Sequence, residues 1–284
     1  MEQEWTREEL LADPALANSL SARAQGIDQL PLADDVPDDL VDLPGGLIHS
    51  GQVIRKATVR ELTGSDEEAL SRAIKSSDPT HFLDTLITRG TVALGQFPAT
   101  PELLGQLFVG DRNEIAIAIR NATYGNTFTL DGWVCPYCHG SSDISFDLRK
   151  DLERVRLTDP AKDGWVEVRL RKGGTALARF PTGNDEAAYL ADPNWTKAEI
   201  NSEMLRRCVS TLTDAKGVTV RVQQEPSFIT KLNIPDRASI VNAILDKQPG
   251  PRFTVIEFTH AECKNEVSFA LGVGDLFREL VRNL

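Results

Sequence analysis

The sequence predicts an α+β protein with a helical N-terminal region, two similar β-hairpins, and an α+β segment inserted between the hairpins. Capping signals followed by apolar stripes recur over residues 63–122, which favours helices there. Two strand-turn-strand phrases, residues 133–148 and 258–271, end in the same pattern of apolar-Ser-Phe-x-Leu. Alternating strand patterns and one long helical stripe lie between the two phrases.

The first forty residues differ in composition from the rest of the 284-residue chain. They hold ten acidic residues against Arg7 and Arg23, so they carry −8 of the net charge of −11 and leave −3 for the remainder. The phrase Thr6-Arg-Glu-Glu9 predicts the start of a short helix, and a Pro/Asp-rich stretch follows it as an extended linker. We predict an acidic arm and linker over residues 1–40, which docks on another chain or packs back on its own body.

Residues 41–148 are predicted to contain a strand arm, four helices and the first hairpin. Partial alternation over residues 53–62 indicates the arm. Ser65 and Glu68 are predicted to form the capping box of the first helix. Asp111 is expected to be the N-cap of the fourth helix, because Asp is among the best N-cap residues, and Gly125 is expected just past the end of that helix. The helices are expected at about residues 65–74, 79–90, 101–108 and 111–122.

Residues 149–252 are predicted to form an α+β insertion, and residues 253–284 are predicted to contain the second hairpin and the C-terminal segment. Thr196 and Glu199 indicate the start of a long helix that runs to Leu212. Cys208 lies on the apolar stripe of this helix, so we expect a small core residue there. The remaining expected elements are strands at residues 165–170, 176–180 and 218–222 and a helix after Pro235.

The turns of the two hairpins carry residues of the types that bind metals. Cys135 and Cys138 are separated by two residues in the first turn, and His260 and Cys263 are separated by two residues in the second. Paired turns of this kind build tetrahedral zinc sites, so the sequence predicts split zinc-ribbon hairpins with one bound Zn²⁺. Four protein ligands leave no position for a substrate, so the predicted role of the zinc is structural. His139 is the alternative ligand to His260.

Other interpretations of these cysteines remain open at this point. A metal-free ribbon or a redox-active Cys-x-x-Cys pair would also fit the spacing, although a turn and not a helix follows Cys138. A disulfide framework is disfavoured, because the chain has four cysteines and no signal peptide is evident at its start.

Charge and motif content narrow the classes of function. The acidic balance disfavours binding to nucleic acid, since that affinity depends on Lys and Arg at phosphates. No apolar run reaches the 18 or so residues that a membrane span needs, and the N-terminus lacks the basic region of a signal peptide, so we expect no span and a protein that is cytosolic where it is made. A P-loop, a dinucleotide-binding glycine motif, a nucleophile elbow and a His-Glu-x-x-His motif are all missing, so we do not expect an enzyme.

Several short phrases follow one another along the chain in a recognisable order. They are Val41-Asp-Leu-Pro-Gly-Gly46, Arg60-Glu-Leu-Thr-Gly-Ser-Asp-Glu67, Phe108-Val-Gly-Asp-Arg112, Ile119-Arg-Asn-Ala-Thr-Tyr-Gly125, Cys135-Pro-Tyr-Cys138, Phe146-Asp-Leu148 and Arg179-Phe-Pro-Thr-Gly-Asn-Asp185. Their order resembles the T-even-type phage baseplate hub and assembly protein family. The second hairpin departs from that pattern, because His260 stands where such ribbons usually carry a cysteine, and the acidic arm has no counterpart.

The resemblance implies a small α+β protein of a contractile tail with no catalytic residues. Its partners would be other phage tail or baseplate proteins in a multi-subunit assembly. It would reside in the host cytoplasm during assembly and, if retained, in the baseplate of the virion tail. One alternative is a transient chaperone for tail or tape-measure assembly. Another, from a different class, is a zinc-containing enzyme or a regulatory adaptor.

Overall fold

The computed structural model describes residues 39–76, 78–252, 256–269 and 271–277. The predicted acidic arm lies outside these residues except for its last two positions. The described chain is mixed α+β, with short helices and several small antiparallel sheets, as the sequence predicted. None of its described helices combines the length and apolar character needed to cross a membrane.

The first half of the described chain contains six strands and four helices. They are β1 (Asp39–His49), β2 (Gln52–Val59), α1 (Gly64–Ile74), α2 (His81–Gly90), β3 (Thr91–Leu94), β4 (Phe97–Pro98), α3 (Pro101–Gln106), α4 (Val109–Tyr124), β5 (Thr127–Val134) and β6 (Ser141–Asp147).

The second half repeats most of this order after a short connection. Its elements are β7 (Arg154–Val155), α5 (Pro160–Asp163), β8 (Trp165–Arg169), β9 (Thr175–Arg179), α6 (Gly183–Tyr189), α7 (Lys197–Cys208), β10 (Val209–Thr213), β11 (Thr219–Arg221), α8 (Ser227–Lys231), α9 (Ile234–Lys247), β12 (Gly250–Pro251), β13 (Ile256–Thr259), β14 (Glu266–Phe269) and a 3₁₀ helix, Val273–Phe277.

The element order shows that the chain is built from two repeats, which we call the first repeat (residues 39–147) and the second repeat (residues 165–269). Each has a four-stranded antiparallel sheet, β1-β2-β3-β4 or β8-β9-β10-β11, with two helices between its second and third strands. Two further helices and a two-stranded hairpin then follow in each repeat. Of these elements, only the hairpins were predicted from the sequence to be duplicated.

One ion-paired arrangement begins the first helix of the first repeat. Arg60 donates to both carboxylate oxygens of Asp66 at 2.8 and 3.2 Å, and Arg89 donates to Asp66 at 2.9 Å. The amide and hydroxyl groups of Thr63 also donate to Asp66. Burial favours the neutral acid, yet these bonds hold the pKa of Asp66 well below its ordinary value.

The second repeat has the same arrangement at the corresponding positions. Arg179 donates to both oxygens of Asp185 at 2.5 and 2.8 Å, and Arg207 donates at 3.1 Å. Thr182 caps helix α6 and also donates to Asp185. Burial opposes ionisation, but the bonds from Arg179 and Thr182 lower the pKa of Asp185 to about 2. We call each of these sets an Arg-Thr-Asp-Arg clasp.

The capping box predicted for Ser65 and Glu68 is wrong. Thr63 is the N-cap of α1, and Asp66 is the residue that returns a bond to the Thr63 amide. Glu68 is exposed, whereas the Asp66 side chain is completely buried between two arginines. The sequence pattern permits either pair, and the two arginines select Asp66.

The predicted helix over residues 197–212 is too long. Helix α7 ends at Cys208, and the chain passes directly into β10, which pairs with β9 and β11. Its residues Val209, Thr211 and Thr213 are β-branched, a type that favours strands. The apolar residues Val209 and Leu212 continue the helical spacing by coincidence, although they belong to a strand.

Asp111 is not the N-cap that the sequence predicted. Helix α4 begins at Val109 after Phe108, so Asp111 lies in its first turn. There it is fully buried, and its carboxylate accepts the Gly45 N–H at 2.7 Å. Gly125 ends the helix as predicted, with a positive φ of 83°.

The buried apolar side chains form two clusters within one compact unit of the chain. The first cluster takes its members from the first repeat, from Leu148 and Leu152 just after it, and from the segment that follows the second hairpin, including Leu271 and Phe277. The second cluster takes its members from residues 157–244. The C-terminal segment thus returns to the core of the first repeat.

Candidate metal centre

The first turn of the centre connects β5 to β6. The Cys135 N–H donates to the Gly140 carbonyl at 3.0 Å, and the His139 N–H donates to the Cys135 carbonyl at 3.0 Å. These bonds close a tight turn that requires a left-handed residue, and His139 occupies that position with φ of 58°. Cys135 and Cys138 are thereby held on the same turn.

The second turn, between β13 and β14, has the same backbone arrangement. The His260 N–H donates to the Asn265 carbonyl at 2.9 Å, and the Lys264 N–H donates to the His260 carbonyl at 2.9 Å. Lys264 occupies the left-handed position with φ of 59°. Position for position, His260 matches the first cysteine of the other turn and Cys263 matches the second.

The two turns bring the four predicted side chains together. Their ligand atoms all lie within 4.8 Å of one another, so the cluster can hold a metal such as zinc. The Cys135 and Cys263 sulfurs are 3.7 Å apart, and the His260 Nδ1 lies 3.5 Å from the Cys138 sulfur and 3.3 Å from the Cys263 sulfur.

These separations fit a tetrahedral zinc site. Zinc-sulfur bonds of about 2.3 Å and zinc-nitrogen bonds of about 2.0 Å place two sulfurs about 3.8 Å apart, and sulfur and nitrogen about 3.5 Å apart, when the ligands are tetrahedral. A disulfide would need sulfurs about 2.0 Å apart, and all four cysteines are free thiols. Three thiols and one imidazole also match the ligand chemistry that zinc prefers.

Neighbouring side chains fix the orientation of His260. Its ring is buried, and its Nε2 lies 3.2 Å from the Ser142 hydroxyl on β6. An Nε2–H donated to Ser142 leaves Nδ1 unprotonated and directed at the sulfurs. Trp133 packs against both His260 and Phe258, with ring centroids 5.9 and 5.2 Å apart. Ser142 was not predicted to be a site residue. It lies opposite Trp133 in the hairpin because of the register between β5 and β6.

The thiols influence one another electrostatically. Burial raises the pKa of the Cys135 thiol, but the backbone N–H groups of Cys138 and Tyr137 outweigh this effect and lower it. The Gly140 N–H lowers the pKa of the Cys138 thiol, whereas burial and the nearby Cys135 and Cys263 raise it. The net result is a raised pKa. Thiolates held this close together would repel one another, and a bound cation would relieve that repulsion.

Among the described residues, the metal-type cluster consists of Cys135, Cys138, His260 and Cys263, and it does not include His139. His139 occupies the turn position that corresponds to Lys264, and both residues have a positive φ. Cys208 is also separate, since it is buried in the second cluster as predicted. Burial raises the pKa of the Cys208 thiol to about 12.

Comparison of the chain with protein families, with curated proteins and with solved structures finds no match.

Proposed function

We propose that Cys135, Cys138, His260 and Cys263 bind one structural Zn²⁺ and that the protein is a structural or assembly component of a phage-type contractile-tail baseplate. The observation that carries the proposal is the set of three sulfurs and one nitrogen that all lie within 4.8 Å of one another, at separations of 3.7, 3.5 and 3.3 Å for three of the pairs. Zinc held by four protein groups supplies cross-linking and no open position for a substrate. A role in assembly fits such a site better than catalysis does.

The position of the site in the fold supports a structural role. One pair of ligands belongs to the hairpin of the first repeat and the other pair belongs to the hairpin of the second. Each hairpin has only two strands, and an isolated two-stranded hairpin is at best marginally stable in water. Structural zinc contributes about 10 to 16 kcal/mol in small peptide sites. Bound zinc would thus hold together two elements that have little stability alone.

The baseplate assignment rests on the order of the sequence phrases that resemble the T-even-type family. Several of these phrases coincide with structural features that are specific to this fold. Arg60 and Asp66 belong to the first clasp, Arg179 and Asp185 belong to the second, and Asp111 contacts the Gly45-Gly46 segment. These phrases therefore carry contacts within the fold, whereas the assignment to a baseplate rests on the resemblance alone.

Metal analysis tests the zinc site directly. Protein purified without added metal should contain about one zinc per chain, and Cys135→Ser and His260→Ala should each lose most of it. Cys208→Ala is the matched control, because Cys208 is buried away from the cluster, and this variant should keep its zinc. Replacement of zinc by Co²⁺ should give the visible absorption of a tetrahedral thiolate site. A folded protein without metal would contradict the zinc assignment.

Mass spectrometry of contractile-tail particles from the source of this gene tests the baseplate assignment. A structural component should be present in purified baseplates. A chain found only in assembly intermediates would indicate a transient tail or tape-measure chaperone. A chain missing from both would contradict the assignment, whatever its zinc content.

A further inference from the structure

The two repeats meet through an interface whose two sides are different. On the first repeat, the corner between α3 and α4 supplies the Val109 N–H, which donates to the Pro181 carbonyl at 3.1 Å. On the second repeat, the turn before α6 supplies the Gly183 N–H, which donates to the Leu107 carbonyl at 3.0 Å. Phe108 also packs edge-on against Phe180, with ring centroids 6.1 Å apart. We call the surface of the first repeat around residues 107–109 the corner, and the surface of the second repeat around residues 181–183 the turn.

Arg112 and Gly183 fit closely at this interface. A Cβ on Gly183 would lie 2.5 Å from the Arg112 guanidinium, so only glycine permits this approach. The Arg112 side chain is 3% exposed, and its Nε lies 3.9 Å from Glu186 on α6. Arg112 also pairs with Asp84 on α2.

The second repeat has its own corner, between α8 and α9. Asp236 there accepts the Arg171 N–H at 2.8 Å, just as Asp111 accepts the Gly45 N–H in the first repeat. Ile234 corresponds to Val109 and Arg237 corresponds to Arg112. The second corner is therefore built like the first.

The second corner is open to solvent. Ile234 is 82% exposed, the largest value among the large apolar side chains of the described chain. A groove of about 380 Å³ runs between α7 and α9 beside Ile234 and Arg237. In the first repeat, a groove lined mainly by α1 and α2, with Asn113 of α4, also includes Glu186 of the second repeat. Arg112 pairs with the carboxylate of Asp84, whereas Arg237 contacts the uncharged hydroxyl of Ser202 on α7. Less of the positive charge of Arg237 is therefore neutralised.

The first repeat has its own turn, and this turn is also open. Gly64 lies where Gly183 lies in the second repeat, directly after the capping threonine of the same clasp. No atom of the described residues lies within 4 Å of the position that a Gly64 Cβ would take. Glu67, the counterpart of Glu186, is exposed. Within the part of the chain that the structure describes, the corner of the second repeat and the turn of the first repeat therefore have no partner.

We propose that the partner of the second corner is the first turn of a second copy of this chain. The corner that contains Ile234 and Arg237 would dock on the turn that contains Gly64 and Glu67, with the contacts seen between the repeats. The Ile234 N–H would donate to the Leu62 carbonyl, and the Arg237 guanidinium would approach Gly64 and pair with Glu67. Because the two surfaces differ, each docked copy presents a new free corner, and the contact extends into a ring or a filament. This inference goes beyond the proposed function and does not depend on zinc.

Face-specific variants of the full chain test the proposal. Ile234→Glu blocks the corner, and Gly64→Gln blocks the turn. Both residues are exposed and are the first residues of their helices, so the fold should tolerate the new side chains. Val218→Glu is the control, since Val218 is 59% exposed and belongs to neither surface. Sedimentation velocity should show growth of the wild-type protein beyond a dimer as concentration rises. The control should behave likewise, and each blocked variant should associate about tenfold more weakly or not at all.

A mixture of the two blocked variants gives the decisive result. Ile234→Glu keeps a free turn and Gly64→Gln keeps a free corner, so the mixture should form a 1:1 dimer that grows no further. A wild-type protein that stays monomeric, or blocked variants that associate like wild type, would overturn the proposal. Two monomeric variants that fail to complement each other would overturn it too. Zinc content should be equal in all the variants, so this result is separate from the test of the metal site.

Discussion

At the scale of single residues, Asp111 shows most clearly how burial changes chemistry. The side chain is fully buried in the first turn of α4 and is held by the Gly45 N–H. Burial raises the pKa of its carboxyl group to about 7, although the Gly45 and Gly46 N–H groups oppose the rise. Arg55 acts in the same sense as these N–H groups, and Glu114 acts against them. The folded protein therefore retains a proton that an unfolded chain releases near pH 4.

This retained proton predicts a pH-dependent stability. The folded pKa of Asp111 lies above its unfolded value, so stability should fall as pH rises from about 4 to about 7 and then level off. The Asp111→Asn variant has no titrating carboxyl group at this position. Between pH 5 and pH 8 this variant should therefore lose less stability than the wild type, and the difference should be a few kcal/mol at most. Urea unfolding at the two pH values measures the difference. Asp246→Asn, at an exposed site, should leave the wild-type pH dependence in place.

Ser142 is a second residue with a testable role. Its hydroxyl lies 3.2 Å from the Nε2 of His260 and can accept an Nε2–H, which would leave Nδ1 free to bind a metal. Ser142→Ala should weaken zinc binding about 10- to 100-fold, as loss of comparable outer contacts does in other sites. Competition with a chromogenic chelator measures the affinity. Ser145→Ala is the matched control, because Ser145 lies on the same strand and contacts Thr129 instead.

At the scale of elements, the two Arg-Thr-Asp-Arg clasps determine where α1 and α6 begin. Each places a nearly buried aspartate between two arginines and the capping threonine. The same group thus caps a helix and ties it to the strand before it and the helix after it. The clasp is the clearest duplicated feature outside the hairpins.

Removal of either clasp carboxylate should destabilise the fold. Asp66→Asn and Asp185→Asn each leave two partly buried arginines without their charge partner, and we expect a loss of about 3 kcal/mol from each. Glu68→Gln should cost less than about 0.5 kcal/mol, because Glu68 is exposed and is not the capping residue. Denaturant unfolding at pH 7 measures all three. Since the pKa of Asp185 is lowered to about 2, its contribution should be present at neutral pH and lost as pH falls from about 4 towards 2.

At the scale of the whole molecule, two duplicated units are joined in three ways. The corner of the first repeat packs on the turn of the second. The segment after the second hairpin returns its buried residues, such as Phe277, to the first core. The four metal-type ligands come in equal shares from the two hairpins. Only the last of these connections would depend on a bound metal.

Metal removal should therefore loosen the hairpins and leave the two cores folded. A strong chelator should lower the melting temperature and make the exposed Lys264, in the turn of the second hairpin, a site of tryptic cleavage. Far-UV circular dichroism should keep most of its helical signal, because the helices belong to the two apolar clusters. Cys135→Ser should be cleaved at Lys264 without chelator, and Cys208→Ala should need chelator. Unchanged melting after verified metal loss would contradict a structural role.

The sequence alone determined the features that depend on neighbours along the chain. The spacing of Cys135, Cys138, His260 and Cys263 identified the cluster, because a metal-binding turn needs only a few residues of the right type. The α+β class, the strands at 165–169 and 175–179 and the end of α4 at Gly125 followed from local periodicity and from the freedom of glycine to adopt positive φ.

Only the tertiary structure decided the features that depend on distant partners. Arg60 and Arg89 select Asp66 over Glu68 as the capping acid, and pairing with β9 ends α7 at Cys208. The duplication was visible in the sequence as a recurring Arg-x-x-Thr-Gly-x-Asp-Glu phrase, but its meaning needed the matching order of strands. Local patterns fix local conformation, whereas burial and ion pairing between remote segments fix which of several permitted conformations is stable.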